Sequence, residues 1–489
     1  MKTDAKSLPN LKEAANRTKS PIQITSAKSK PSDALKSWAK GRKYCIYTYG
    51  CQANVRDSEY LRGYFENIGL TETEEGTEAD ITIFNTCAIR ENAETKIYGE
   101  LGRMKQPSQN NPDMIVGICG CMMQEEKPLN FIREHFPYVN LIFGTHNIDD
   151  IYPLMNEIIE KKNRVISVKS IEGDVIEDMP SKRFEKYKAF VNIMYGCDKF
   201  CTYCIVPYTR GKQRSRKVED IVKEVEELKA KGYKEVTLLG QNVNAYGKDF
   251  ESPITFDVLL EKVAQTGIDR VRFMTSHPFD FQERVFEVMG NYSNIMPALH
   301  LPLQSGSSEM LKKMNRRYDI NIYLDLVQKL RKHVPDVNLT TDIIVGFPNE
   351  TEEQFEETLS LVREVVYDSA FTFIFSPRPG TPAARMKDET PAEVKKARFL
   401  RLKELIDEQA TYTASKFVGQ IVEVLFDTVS KKDKTKISGY ERHGRLVHVD
   451  GDESLIGQIK KVKITSSRTY SLMGEIIDDW RRSSKSWSN

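Results

Sequence analysis

From Tyr44 onward the chain alternates short apolar runs with amphipathic helical stretches, and it does so in two separate series. In the first series strand-like runs at 44–49, 80–85, 114–118 and 140–144 are separated by helical stretches such as 56–68 and 90–105. Strands that alternate with helices must be joined by crossovers, which predicts an open parallel α/β sheet. The second series predicts strands at 190–195, 234–239, 270–275, 296–301, 338–345 and 370–375. Between its first two strands Val218, Ile221, Val222, Val225 and Leu228 fall on one helical face, the pattern of a helix packed on a sheet. Six such units predict a six-fold, partly open barrel, since a closed eight-fold barrel needs about 250 residues.

The expected domains are then an arm at 1–43, an α/β domain at 44–160, a barrel at 183–410 and a small all-β domain at 411–478. The region 160–185 reads as a link, with mixed charges and no clear period over 171–185. Residues 391–415 read as a charged helix, and strands at 419–428, 435–449 and 457–477 are punctuated by Gly439, Gly451 and Gly457. That last pattern is a small barrel or sandwich. A chain of 489 residues exceeds the roughly 250–300 that one core accommodates. No internal repeat and no run of about 18 apolar residues occurs, so no membrane span is expected.

The net charge of +2 hides its distribution. Residues 1–43 carry eleven basic side chains against three acidic ones, and residues 411–489 carry fourteen against ten. The body between them is acidic in balance. Basic segments flanking an acidic body suit an RNA partner held by its phosphates. The first segment, rich in Lys, Ser, Ala and Pro, is expected to be a disordered basic arm.

Eight cysteines are too few for a disulfide scaffold, and the first 40 residues lack a secretory apolar stretch, so a reducing cytoplasm is expected. The sharpest local signal is Cys197-Asp-Lys-Phe-Cys201-Thr-Tyr-Cys204, directly after a strand. Zinc would normally take a fourth protein ligand, and none lies nearby. A ferredoxin run would carry a further Cys before Pro, which is absent. Three thiolates leave one iron of a 4Fe-4S cluster open. Cys51, Cys87 and Cys121 each follow a predicted strand of the first series, 36 and 34 residues apart. In an open parallel sheet those positions share the carboxyl edge where ligands bind. Cys45 and Cys119 lie within or at the end of strands and read as packing residues.

The Cys197-x3-Cys201-x2-Cys204 loop, with Tyr203 before its last Cys, resembles the cluster loop of the radical S-adenosylmethionine (SAM) enzymes. Gly50-Cys51-Gln52-Ala53-Asn54, Asn85-Thr86-Cys87 and Gly120-Cys121-Met122-Met123-Gln124 resemble the amino-terminal domain of the methylthiotransferases within that superfamily. With the barrel and a β-domain resembling the RNA-binding TRAM domain, the likeness covers roughly residues 43–478. It implies a fold of open parallel α/β domain, partial (β/α)6 radical SAM barrel and TRAM-like β-domain. It also implies two 4Fe-4S clusters, one on Cys197, Cys201 and Cys204 and one on Cys51, Cys87 and Cys121, so these six would be both metal ligands and the catalytic centre. Two SAM molecules would be consumed per turnover, one to methylate sulfur at the second cluster and one to generate a 5′-deoxyadenosyl radical at the first. A low-potential electron donor and a sulfur source would be needed, and a monomer is expected.

By the same resemblance Tyr203 lies near the adenine of SAM, Gly240, Gln241 and Asn242 meet its methionine end, and Gln304 and Ser305 contact its ribose or the substrate. Gly-Gln-Asn also makes an ordinary turn. Asp342, Gly346 and Pro348-Asn349-Glu350 suggest another cofactor-facing edge, where helix capping by Asn349 or Thr351 is the simpler reading. His277 is either a structural side chain or a substrate contact. Thr86-Cys87-Ala88-Ile89-Arg90-Glu91, Gly99–Arg103, Leu239–Tyr246, Ser276-His277-Pro278 and Arg378–Pro382 resemble the branch that acts on N6-isopentenyladenosine beside the tRNA anticodon. Branches acting on threonylcarbamoyl-adenosine tRNA or on a ribosomal-protein aspartate remain alternatives. So do a two-cluster electron carrier and a zinc-containing RNA-binding protein, neither of which would turn over.

Overall fold

The computed structural model describes residues 23–88, 91–169, 174–430 and 433–477. Residues 1–22 of the expected arm, Ile89 and Arg90 of the Cys87 block, and position 478 lie outside the described residues. The rest of the arm is not disordered. Strand β1 (Ile24–Ser26) pairs in parallel with Val175–Glu177, and a helix follows at Asp33–Ala39, its first turn capped by Ser32 Oγ, which accepts from Leu35 N at 3.1 Å. Leu35 and Ala39 are fully buried and Trp38 half-buried, an apolar spacing that the surrounding lysines obscured.

Strands β2 (Lys43–Tyr49), β3 (Thr71–Glu72), β4 (Ile81–Thr86), β5 (Ile115–Gly120), β6 (Leu141–Phe143) and β7 (Val165–Ser167) form one parallel sheet in the order β3-β2-β4-β5-β6-β7. Strands β4 and β5 are buried at every residue, because helices cover both faces and leave two apolar cores, one per face. The sheet therefore closes only at β7, beyond the expected boundary at 160. The link also contains β8 (Val175–Glu177), the partner of β1. These strands are three residues long, too short for a period to show.

The second series supplies β9 (Lys188–Asn192), an antiparallel pair β10 (Met194–Tyr195) and β11 (Arg214–Ser215), then β12 (Glu235–Leu239), β13 (Arg270–Phe273), β14 (Ala298–His300), β15 (Asn338–Val345) and β16 (Ser369–Ile374). The barrel strands are parallel in the order β9-β12-β13, then β14-β15-β16. A single bridge, Val271 to Ile295, joins the two halves. Among the described residues β9 and β16 do not pair, so the expected six-fold open barrel is present. Its helix-facing side chains, including Val191, Val236, Leu238, Val271, Leu339 and Ile343, join the main core. The opposite face of β14–β16 carries His300, Thr340, Asp342, Phe371 and Phe373 into the open interior. There Phe371 is 59% exposed and Phe373 50%.

A 24-residue helix, Ala392–Ser415, leads to a closed five-stranded barrel of β17 (Ile421–Val429), β18 (Lys436–Glu441), β19 (Leu446–Asp450), β20 (Ile459–Ser467) and β21 (Ser471–Ile476), ordered β17-β18-β19-β21-β20. Gly439 is obligatory there, since a Cβ would sit 2.1 Å from Leu425 O. This domain docks against the amino-terminal ends of the large barrel's strands. Arg270, the first residue of β13, donates to Tyr440 O at 2.7 Å and Glu423 O at 2.8 Å. Arg445 meets Asp368 at 2.6 Å, and Lys188, the first residue of β9, meets Asp427. The seam is thus made at the end of the barrel opposite its ligand-binding edge. Replacement Arg270→Ala removes two part-buried hydrogen bonds from a charged donor, and it should cost about 2–4 kcal/mol. Thermal denaturation combined with limited proteolysis should show the β-domain released earlier than in the unaltered protein.

Candidate functional site

Cys51, Cys87 and Cys121 follow β2, β4 and β5, which are adjacent in the sheet and run parallel. Register pairs Tyr49 with Thr86 and Thr86 with Gly120, so the three thiols emerge side by side at one edge. Two glycines make this possible. A Cβ on Gly50 would lie 2.7 Å from Cys87 Cβ, and one on Gly120, at φ +98°, would lie 2.2 Å from Thr86 O. Asn54 fastens the loops: its Oδ1 accepts from Cys51 Sγ at 3.3 Å, and its Nδ2 donates to Thr86 O at 3.0 Å. Asn85 reciprocates, donating to Asn54 O and Ser58 Oγ, both at 2.9 Å.

Arg210, from the barrel, reaches this edge. Its Nε donates to Cys121 Sγ at 3.1 Å and its Nη2 to Asp57 Oδ2 at 2.7 Å, with all three residues buried. A hydrogen bond from Cys87, helped by the Arg210 charge and the Asn54 and Ala53 amides, outweighs burial and brings the Cys51 thiol down to about 5. Burial pushes the Cys121 thiol up to about 11 despite Arg210.

The second set lies on the loop after β10. Gly196 at φ +73° opens the turn, where a Cβ would collide with Lys212 O at 1.9 Å, and Phe200 is itself left-handed at φ +49°. Asn315 Nδ2 donates to Phe200 O at 2.9 Å, and Thr202 exchanges backbone bonds with Met314 at 3.0 Å and Ala383 at 2.9 Å. Burial, followed by Cys204 and Cys201, pushes the Cys197 thiol far up, and burial with Cys201 takes Cys204 up to about 12. Cys197 and Cys204, two neighbouring thiols that resist ionisation, are stable as thiolates only around a cationic core. Among the described residues no three Cys, His, Asp or Glu side chains surround a single ion. A cubane cluster asks for something else, since each thiolate takes its own iron.

Cys201 Sγ receives Arg316 Nη1 at 3.5 Å and faces His277 Nε2 at 4.0 Å. His277 Nδ1 accepts from Phe279 N at 3.3 Å, while burial and the Arg316 and Lys199 charges hold the imidazole far below its usual range. The neutral ring therefore keeps its proton on Nε2, aimed at Cys201. The loops that carry the two sets meet: Cys121 and Ala88, the neighbour of Cys87, form one buried apolar cluster with Tyr208 and Ile205, the neighbour of Cys204, and Phe200 packs against it.

The expected SAM contacts are only partly assembled. Tyr203 packs by Met310, Met314 and Phe347, its hydroxyl 3.4 Å from Arg316 Nη1. Gly240 lies against Met194, and Gln241 Oε1 accepts from Gly196 N at 2.5 Å, tying this loop to the cysteine loop. Asn242 Nδ2 donates to Asp280 Oδ2 at 2.7 Å, while its buried Oδ1 has no partner among the described residues, an acceptor suited to an ammonium group. Gln304 is left-handed at φ +72° and bridges to Ile343 on the barrel's carboxyl side. Ser305 lies deeper than its neighbour. Its hydroxyl is fully buried, accepting from Ser307 N at 3.2 Å beside Thr358, because the turn rotates it into the helix layer. The Gly346–Glu350 edge is also structural: Glu350 accepts from Gly346 N at 2.8 Å, and Thr351 with Gln354 forms a capping box. Cys45 donates to Glu74 O at 3.6 Å, and Cys119 is core, both as packing residues.

The radical SAM superfamily model matches residues 191–362, the uncharacterized protein family UPF0004 matches 43–144, and the TRAM domain matches 415–477. A tRNA-2-methylthio-N(6)-dimethylallyladenosine synthase of Geobacillus kaustophilus is 52% identical over 96% of this chain and 89% of its own length. The protein of the same name from Bacillus cytotoxicus is 53% identical over 96% and 92%. The chain belongs to the radical SAM methylthiotransferase family. A solved radical SAM methyltransferase from Kitasatospora setae, with cobalamin and a 4Fe-4S cluster bound, shares the fold at TM-score 0.52 and 13% identity, over 70% of this chain and 77% of that one.

Arg210, Asp57, Arg316 and Asp280 are the site residues of this methylthiotransferase that no local spacing announces, since their partners lie 38 to 153 residues away. Glu350 offers a test of how this edge is held together. Burial raises its carboxyl to about 7 although Gly346 N and Arg398 oppose this. An acid raised on folding binds more protons folded than unfolded, so stability falls as pH climbs from about 5 to about 7, by up to roughly 3 kcal/mol. Denaturant titrations at several pH values should show that decline in the unaltered protein and its loss in Glu350→Gln.

Proposed function

We propose that the chain is a tRNA methylthiotransferase that replaces the C2 hydrogen of N6-isopentenyladenosine, beside the anticodon, with a methylthio group. The reading is carried by the loops of the two three-cysteine sets meeting in a single apolar cluster, and the names of the relatives agree with it. Cys197, Cys201 and Cys204 would hold one 4Fe-4S cluster, and Cys51, Cys87 and Cys121 the other. When bound, these groups and SAM would supply one-electron cleavage of a sulfonium and a methylated sulfur, chemistry an aromatic C–H requires because it is a poor acid with no leaving group.

The protein's own part is positional. Phe200, Ile205 and Tyr208 exclude water between the two sets. Arg316 and the His277 Nε2 proton stabilise negative charge on Cys201. Arg210 does the same for Cys121. Phe371 and Phe373, exposed along the open interior, offer faces for a planar base and its prenyl group. The base must be splayed from the anticodon loop to enter. The β-domain, seated at the far end of the barrel, leaves that entrance clear. A low-potential electron donor and a sulfur source complete the reaction, and a tRNA substrate accords with a cytoplasmic site of action. Among the described residues no helix is long and apolar enough to cross a membrane.

The test is anaerobic reconstitution to about eight irons per chain, reduction, and incubation with SAM and isopentenyl-modified tRNA, followed by nucleoside mass spectrometry. The methylthio nucleoside and 5′-deoxyadenosine should both form. Cys197→Ala should abolish SAM cleavage, whereas Cys121→Ala should retain some cleavage and lose thiolation. Thiolation of threonylcarbamoyl-adenosine tRNA alone would move the substrate to the other branch. Full thiolation by Cys121→Ala would remove the second cluster from the account.

A further inference from the structure

Behind Cys121 lies a cavity of about 70 Å³ between the α/β domain, the link and the barrel. Its walls include Asp57, His146, Asp149, Tyr195, Arg210 and Arg214. Among the described residues four buried polar atoms of this lining have no hydrogen-bond partner: Arg214 Nε and Nη1, Tyr195 Oη and His146 Nε2. Arg214 is 3% exposed, and its one bond runs from Nη2 to Arg210 O at 3.0 Å. Other buried arginines near it are neutralised. Arg210 pairs with Asp57, Arg216 with Glu177 and Glu224, and Arg56 with Glu59 and Glu224.

Among the described residues no carboxylate bonds to Arg214. Asp149 accepts from Tyr64 Oη at 2.5 Å and Lys28 N at 3.2 Å, and Asp174 is exposed at the rim. Burial, aided by the Arg210 charge, lowers Arg214 to about 10 although Tyr195, Asp174 and Asp198 oppose this. A water would satisfy donors yet leave the charge uncompensated, and a volume of this size holds one or two water-sized species.

We propose that this cavity binds a small, singly charged inorganic anion, of halide or hydrosulfide size, between Arg214, Tyr195 and His146. The site is one guanidinium from Cys121, since Arg210 lines the cavity and donates to that thiol. Hydrosulfide is the member of this class that the proposed reaction would consume, and that identity alone rests on the proposed function.

Crystals of the full chain equilibrated with sodium bromide should give an anomalous peak within hydrogen-bond range of Arg214 and Tyr195. Arg214→Gln should lose the peak, and the milder Tyr195→Phe should weaken it at least severalfold. Displacement of bromide by sodium hydrosulfide would identify the ligand as the sulfur species, and retention would identify a halide site. Water alone in the cavity at saturating bromide would overturn the proposal, whatever the enzyme does with tRNA.

Discussion

One guanidinium joins the two halves of this molecule's chemistry. Arg210 leaves the barrel just past the Cys204 turn, yet its bonds end on Asp57 and Cys121 of the other domain. Neither the cation nor the carboxylate is tolerable in that buried place alone, and removal of one partner from such a pair costs about 3–5 kcal/mol. The pair therefore fixes how the sheet edge meets the barrel mouth. Everything that follows, from the Ala88–Cys121–Ile205–Tyr208 cluster to the meeting of the two cysteine loops, depends on that orientation.

The same interface is reinforced further from the cysteines. Glu224 on the first barrel helix receives Arg56 from the α/β domain, Arg183 from the link and Arg216 from the barrel. Those arginines overcome the burial that would raise Glu224 and bring it down to about 2. Against this satisfied network the bare Arg214 stands out. The chamber is thus rigid where it is paired and open in charge at one place, directly behind a thiol.

Much of the fold is legible in the sequence, because two periods are strong there. Val218, Ile221, Val225 and Leu228 specify their helix by spacing alone, and they are buried as that spacing requires. The cysteines are equally legible, since adjacent parallel strands put Cys51, Cys87 and Cys121 on one edge. What the sequence hides is short or distant. The strands Ile24–Ser26 and Val165–Ser167 are too brief for a period. Ser305 sits in a plausible motif, but its turn faces the helix layer, a rotation set by Thr358. Arg210, Arg316 and Asp280 gain meaning only from partners that the folded chain brings to them.

The central claim is that both cysteine sets open into one chamber. Electron paramagnetic resonance of the reduced, fully loaded protein tests it directly. Two clusters that share a chamber should couple magnetically, giving a broadened, fast-relaxing spectrum that sharpens to an isolated cluster signal in Cys121→Ala. Two independent signals in the unaltered protein, unchanged by that substitution, would contradict the account.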